Sequence, residues 1–370
     1  MNIFFLITGL GVGGAEQQVV SLADEMAVLG HKVTLCYITG EAKLLPNEQS
    51  IKLIALKAKK NPWSITKALL LLIKIIHQVK PDIIHSHMVH ANLIARIVKI
   101  FVSKQIVLIC SAHNKNEGGK LRVLAYRLTD RLADISTNVS QEAVTAFIIQ
   151  KATKQGRMLV MYNGIDSTKF SFSNEQRSFL RSQWQITDDT HVLLAIGRLT
   201  AAKDYPNLLT AFSLLPDLKH KLLIIVGTGE ESYVNQLHDL NKQLNIADRV
   251  HFLGIRQDIN SLLSAADLFV LASEWEGMPL VVAEAMACEQ LIVATDSGGV
   301  REMLASTGFL VPIKQPIMLA ETIEKALNLS LTMRIEVTKK ARQRVLMHYN
   351  IQQITQQWLK LYQHLIDSKI

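Results

Sequence analysis

Short apolar runs alternate with segments of helical period along the chain, a pattern that predicts βαβ units and parallel sheets covered on both faces. Strands are predicted at Ile3–Thr8, Lys32–Ile38, Ile51–Leu56, Asp82–His85, Ile106–Ser111, Ile135–Val139 and Met158–Tyr162. A second series follows at His191–Ile196, Leu222–Val226, Val250–Leu253, Leu268–Ala272, Leu291–Ala294 and Phe309–Val311. Each series suffices for its own doubly wound sheet. Asn163-Gly164-Ile165-Asp166 reads as a turn and Ser167 to Asp189 is polar, so a domain boundary is expected there. Ile351, Ile354, Trp358, Leu361, Tyr362 and Leu365 fall at helical spacing and predict a terminal helix with one apolar stripe. Periodicity leaves open which domain that stripe covers. The expected organisation is a first domain 1–165, a second 166–350 and a helical segment 351–370.

At 370 residues the chain exceeds the roughly 150 of one ordinary domain, and 49% apolar residues are enough to fill two cores and exclude a disordered chain. Cys36, Cys110 and Cys288 are far apart and in no ligand spacing, which argues against a disulfide framework or a zinc site and fits a reducing cytosol. Met1 to Thr8 lacks a basic flank and is expected to be a buried strand instead of a secretion signal. The longest apolar stretch, Ile65 to Val79, is interrupted by Lys67, Lys74 and His77 and falls short of the ~18 residues of a spanning helix. Charge is one-sided. Residues 1–163 hold 20 Lys and Arg against 10 Asp and Glu, whereas 164–370 hold 20 against 22. The basic excess of the first half points to nucleic acid, anionic lipid or a phosphorylated substrate. Only 6% aromatic residues, without a recognised module, argue against nucleic acid.

The first predicted strand runs into Gly9-Leu10-Gly11-Val12-Gly13-Gly14, just before a predicted helix. Glycines there let backbone N–H groups approach an anion at the positive helix end. Gly9-x-Gly11-x-x-Gly14 also satisfies a dinucleotide fingerprint, but the second strand ends in Tyr37-Ile38-Thr39-Gly40 without the acidic residue that fingerprint wants. In the second half, Arg198 and Lys203 lie on a strand-to-helix loop, where a guanidinium fork and an ammonium point charge suit a diphosphate. Gly227 opens another glycine turn after a strand. Glu276 sits in a glycine-containing loop, and Glu284 lies eight positions on among apolar helix neighbours. A carboxylate there is costly to bury unless hydroxyl groups, such as those of a sugar or ribose, donate to it.

Glu276-Gly277 with Glu284-Ala285-Met286-Ala287, preceded by Gly197-Arg198 and Lys203, resembles the retaining nucleotide-sugar glycosyltransferases of family GT4, which are built on the GT-B fold. Gly13-Gly14-Ala15-Glu16, Asn163-Gly164-Ile165-Asp166, Gly227-Thr228-Gly229 and Ser297-Gly298-Gly299-Val300-Arg301-Glu302 match the same family in the same order. The resemblance implies two doubly wound Rossmann-like domains facing across a cleft, with the terminal helix able to return to the first. It implies that Arg198 and Lys203 bind the donor diphosphate, that Glu284 accepts from ribose hydroxyls and that Glu276 holds donor-sugar hydroxyls. The Gly277-Met278-Pro279-Leu280 backbone would lie beside sugar and phosphate, and Gly13 and Gly14 would close over the phosphates. Met278 departs from the Phe or Leu of many relatives and bears on donor choice. His113 matches the histidine that relatives place near the reacting sugar carbon, and His85 and His87 are secondary acceptor-side candidates.

The implied activity is retaining transfer of a sugar from a nucleotide-diphosphate sugar, UDP favoured over GDP, to a saccharide acceptor on a lipid carrier in bacterial cell-surface polysaccharide synthesis. With neither an Asp-x-Asp motif nor clustered ligands, no metal and no cofactor beyond the co-substrate is expected. Lys57, Lys59, Lys60 and Trp63 flank an apolar helix at Ser64 to Val79, which suits peripheral docking on the inner, anionic face of a cell membrane as well as packing on the first sheet. The alternatives are a nucleotide-sugar epimerase of the same fold and a nicotinamide-dependent oxidoreductase using the Gly9 to Gly14 loop.

Overall fold

A computed structural model describes residues 1–115, 118–187 and 189–369. Asp188 of the polar boundary stretch and Ile370 of the terminal segment lie outside the described residues. The chain divides into two compact units, residues 1–165 with 350–370, and residues 166–349.

The N-terminal unit is a seven-stranded parallel sheet. Its strands are β1 (Asn2–Ile7), β2 (Lys32–Tyr37), β3 (Lys52–Ala55), β4 (Ile83–His87), β5 (Val107–Ser111), β6 (Ile135–Asn138) and β7 (Met158–Val160), in the order β3-β2-β1-β4-β5-β6-β7. The helices are α1 (Gly14–Val28), α2 (Pro62–Val79), α3 (Val89–Val98), α4 (Lys120–Thr129) and α5 (Gln141–Ile149). β1 is buried throughout from Ile3 to Ile7 because both of its faces are covered, which is why it reads as an unbroken apolar run. α2 starts where Asn61 accepts the Ser64 N–H at 2.9 Å and Pro62 supplies a fixed φ. It buries Ala68, Leu72, Ile75 and Ile76, positions one and two turns apart, against the sheet face lined by Phe4, Leu6 and Ile84. The core-helix reading of 64–79 therefore holds for that stripe, while Trp63, Ile65 and Leu70 stay exposed. β4 runs two residues beyond its predicted end, so that His87 pairs in register with Ile7 and Ser111.

The C-terminal unit has six parallel strands, β8 (His191–Ile196), β9 (Lys221–Val226), β10 (Val250–Phe252), β11 (Leu268–Leu271), β12 (Leu291–Thr295) and β13 (Phe309–Val311), in the order β10-β9-β8-β11-β12-β13. Its helices are α6 (Asn174–Gln183), α7 (Tyr205–Ser213), α8 (Glu231–Gln243), α9 (Ile259–Ala265), α10 (Leu280–Ala287), α11 (Val300–Leu304), α12 (Pro316–Leu327) and α13 (Leu331–His348). Asp267, at the foot of β11, fastens α6 to this sheet. It accepts from Arg177 at 2.7 Å, from Arg181 at 3.1 Å and from the Val192 N–H at 2.8 Å.

The terminal helix, α14 (Ile351–Asp367), belongs to the N-terminal unit. It lies on α1 and buries Ile354, Trp358 and Tyr362 in the core that holds Ile3, Phe5 and Ile109. The chain re-enters that unit where the Ile351 N–H donates to the Ile165 carbonyl at 2.9 Å.

Candidate active site

In both units the predicted chemistry falls at the carboxyl ends of strands, where parallel sheets present their loops. In the C-terminal unit, β8 ends at Gly197-Arg198, and one turn of tight helix, Ala201–Lys203, leads to α7. Gly197 gives Lys203 its path, since a Cβ there would stand 3.1 Å from the lysine Cε. Tyr205 donates its hydroxyl to the Gly197 carbonyl at 2.9 Å. Gly227, after β9, has φ +139°, and a Cβ on it would lie 1.9 Å from that same carbonyl oxygen. No residue with a side chain fits there.

The loop after β11 carries Glu276, which is buried. Its Oε1 meets Lys203 Nζ at 2.5 Å and accepts the hydroxyl of buried Ser273 at 2.6 Å, while Oε2 has no partner among the described residues. Two further ties hold this loop to the one after β8 and to the one after β12. The Glu274 N–H donates to the Ala202 carbonyl at 2.9 Å, and the Gly299 N–H donates to the Gly277 carbonyl at 2.8 Å. Gly298, at φ +60°, sits against the Glu276 carbonyl, where a Cβ would come within 2.1 Å. Gly277, Met278, Pro279 and Leu280 are buried as the loop enters α10.

Glu284 follows one turn into α10, partly buried, and its carboxylate accepts no hydrogen bond from a described residue. Burial pushes it up to about 7, against an opposing pull from Lys169. Arg198 is exposed and makes no ion pair among the described residues. The structure therefore joins Lys203 to Glu276, sets Gly197, Arg198 and Gly227 beside them on adjoining loops, and carries Glu284 on the helix that the Glu276 loop enters. Ser273 and Tyr205 escaped the sequence reading. The spacing Ser273-x-x-Glu276 was the available signal for the first; nothing marks the second apart from an apolar helix start.

His113, Gly13 and Gly14 belong to the N-terminal unit. Gly13 is extended and Gly14 opens α1, whose first turn closes when the Gln17 N–H donates to the Gly13 carbonyl at 2.9 Å. His113 follows β5, and its Nε2 is 3.1 Å from Nδ1 of His87. His85, on the same strand face as His87, is fully buried and bonded at both ring nitrogens, to Tyr362 at 2.6 Å and to Ser111 at 2.7 Å. Trp358 packs over His85 with ring centroids 4.4 Å apart. His85 is thus a packing residue and not an acceptor-side group. Burial holds all three imidazoles neutral, with His113 down at about 4 and the other two well below their ordinary value.

Among the described residues no group of three or more His, Cys, Asp or Glu side chains could hold a metal ion, and no helix is long and apolar enough to cross a membrane. The glycosyl transferases group 1 profile matches residues 176–344, and the glycosyltransferase family 4 profile matches residues 12–169. An uncharacterized glycosyltransferase of Methanocaldococcus jannaschii is 29% identical over 66% of this chain and 63% of its own. The N,N'-diacetylbacillosaminyl-diphospho-undecaprenol alpha-1,3-N-acetylgalactosaminyltransferase of Campylobacter jejuni is 28% identical over 84% of this chain and 85% of its own. The crystal structure of HepE from Anabaena in complex with UDP superposes with a TM-score of 0.85 at 23% identity, over 98% of this chain and 100% of that one. That likeness carries the GT-B fold. Two matched segments, one in each unit, make the chain a sugar-transferring enzyme of the group 1, family 4 glycosyltransferases.

Proposed function

We propose that the chain is a retaining glycosyltransferase that moves a sugar from a UDP-sugar to a saccharide acceptor carried on a lipid phosphate, in bacterial cell-surface polysaccharide synthesis. The observation that carries the reading is the contact of Lys203 Nζ with Glu276 Oε1, with Arg198 open on the Lys203 loop and the Glu284 carboxylate, which accepts no hydrogen bond from a described residue, on the helix that the Glu276 loop enters. Arg198 and Lys203 are suited to the leaving diphosphate, where negative charge grows as the glycosidic bond breaks, so they act on the transition state more than on bound substrate. Glu276, fixed by Ser273 and Lys203 through one oxygen, has its second oxygen left for a sugar hydroxyl. Glu284 offers an acceptor to ribose hydroxyls. His113, neutral in the N-terminal unit, is suited to hydrogen bonding near the reacting carbon and not to supplying a positive charge.

Donor and acceptor classes draw support from the UDP bound by HepE and from the undecaprenol-linked acceptor named for the Campylobacter jejuni relative. The family resemblance supports retention. A basic α2 exposing Trp63 and Leu70 supports peripheral attachment to an anionic membrane from the cytoplasmic side. Thermal unfolding with UDP-, GDP- and dTDP-sugars tests the reading. A UDP-sugar at a hundredfold excess over its Kd is expected to stabilise by about 2.7 kcal/mol, and Arg198→Ala and Glu284→Ala are expected to lose most of that gain. Absence of protection by every nucleotide sugar refutes the site.

A further inference from the structure

The N-terminal unit has a second concavity, at the end of its sheet away from His113. It opens before β5 and β6 with a volume of about 550 Å3, against Lys99, Ile100, Lys104, Arg131, Asp134 and Lys369. The five residues of β5, at roughly 3.3 Å each, set it about 15 Å from the His113 loop. Among the described residues four cations face one carboxylate there, and that carboxylate is engaged: Asp134 Oδ2 accepts from Lys369 at 2.8 Å and from the Leu108 N–H at 2.7 Å.

The ammonium groups of Lys99 and Lys369 donate to the same two carbonyl oxygens, those of Lys104 and Ile106. Two like charges drawn to one pair of carbonyls repel each other. Burial first, and then Lys369, pull Lys99 down to about 8, with Asp134 opposing. Lys104 and Arg131 stand exposed at the rim and make no ion pair among the described residues. A multivalent anion relieves this imbalance. Phosphate has the geometry for it, because a guanidinium binds two of its oxygens as a fork while ammonium groups serve as point charges. The lining is also apolar on one side, where Ile100 is 61% exposed and the adjoining Phe101 57%.

From this arrangement we infer that the pocket of Lys99, Lys104, Arg131 and Lys369 binds a phosphate ester bearing an apolar substituent, at a site separate from the transferase centre. A lipid headgroup or a soluble phosphate could supply that chemistry. The full chain is titrated with inorganic phosphate by calorimetry and sedimented with vesicles of phosphatidylglycerol in phosphatidylcholine or of phosphatidylcholine alone. The test variant is Lys104→Glu/Arg131→Glu, whose side chains are exposed and make no ion pair among the described residues, and the control is Lys325→Glu/Lys339→Glu, an equal charge change at exposed positions of two helices of the C-terminal unit.

Binding of the wild type that falls at least tenfold in the test variant and not in the control supports the site. Loss confined to vesicles assigns the phosphate to a lipid headgroup, and loss confined to inorganic phosphate assigns it to a soluble phosphate. Failure of both probes to bind, equal uptake by neutral vesicles, or an equal loss in the control overturns the proposal. UDP-sugar stabilisation is expected to be unchanged in the test variant, which keeps this outcome separate from the transferase reading.

Discussion

At the carboxyl ends of β4 and β5 the N-terminal unit gathers three neutral imidazoles, of which His85 packs under Trp358 and is bonded to Tyr362 and Ser111 while His87 meets His113, whereas beyond β8 and β11 the C-terminal unit gathers Lys203 and Glu276, with Arg198 open on the Lys203 loop. Both groups lie at equivalent ends of parallel sheets. Their polar atoms are kept in different ways. Hydrogen-bonded neutral rings tolerate full burial because no formal charge has to leave water, and His85 is accordingly fully enclosed. The charged set stays near solvent or in direct ion contact, since an isolated buried charge would titrate away. One unit is therefore equipped for directional hydrogen bonds and the other for stabilising charge.

The comparison breaks hardest where the C-terminal unit does bury charge. Asp267→Ala removes the one carboxylate shared by Arg177 and Arg181, and a loss of about 3–5 kcal/mol in the stability of that unit is expected, as for other broken buried pairs. Denaturant unfolding followed by hydrogen exchange at Val192 reads it, and a change under 1 kcal/mol contradicts the buried-pair account. Because the native carboxyl titrates below the ordinary Asp range, its contribution is present at neutral pH and is lost as pH falls through that depressed value.

Next in size is Lys203→Ala, for which turnover is expected to fall on the order of 10²-fold or more, about 2.7 kcal/mol, by analogy with a lost oxyanion donor. Single-turnover rates with saturating donor check it. An unchanged rate places Lys203 outside the chemistry.

Glu284 gives a smaller effect with a definite sign. On the proposed reading, ribose hydroxyls bond more strongly to the ionised carboxylate than to the acid, and burial holds the Glu284 proton up to about pH 7 in the free protein. Nucleotide affinity is therefore expected to rise with pH up to about 7, by as much as tenfold per unit, and binding below that point to release protons. Calorimetry in buffers of different ionisation enthalpy measures the release, and Glu284→Gln should abolish it. The smallest expectation sharpens the neutral side of the comparison: nitrogen chemical shifts of His113 should show no titration between pH 5.5 and 8, because its ring already binds no second proton there. A midpoint inside that range contradicts a buried, neutral His113.

Among the described residues the strands were legible in the sequence chiefly because those buried on both faces, such as β1, β8 and β9, leave continuous apolar runs. The loops carrying Arg198, Lys203 and Glu276 were legible for a related reason, since glycines and charges directly after such runs are conspicuous. What escaped depends on contacts distant in sequence or on small polar groups. β4 was read short because Ser86 and His87 are polar, although the sheet pairs them. Nothing local in Ile84-His85-Ser86 announces that Tyr362, 277 residues on, closes over His85. Ser273 is one hydroxyl at the end of an apolar run, and its link to Glu276 appears only when the turn forms.

The position of α14 has a consequence for biosynthesis. A nascent chain emerges from the ribosome in order, and domains generally fold as they appear. Here the sheet made first has one face covered by α1 but left incomplete beside it, around Phe5 and His85, until Trp358 and Tyr362 are translated, after the whole C-terminal unit. Maturation of the earlier half is thus gated by the later one, and an incompletely synthesised chain presents an adhesive apolar surface that holdase chaperones are suited to shield.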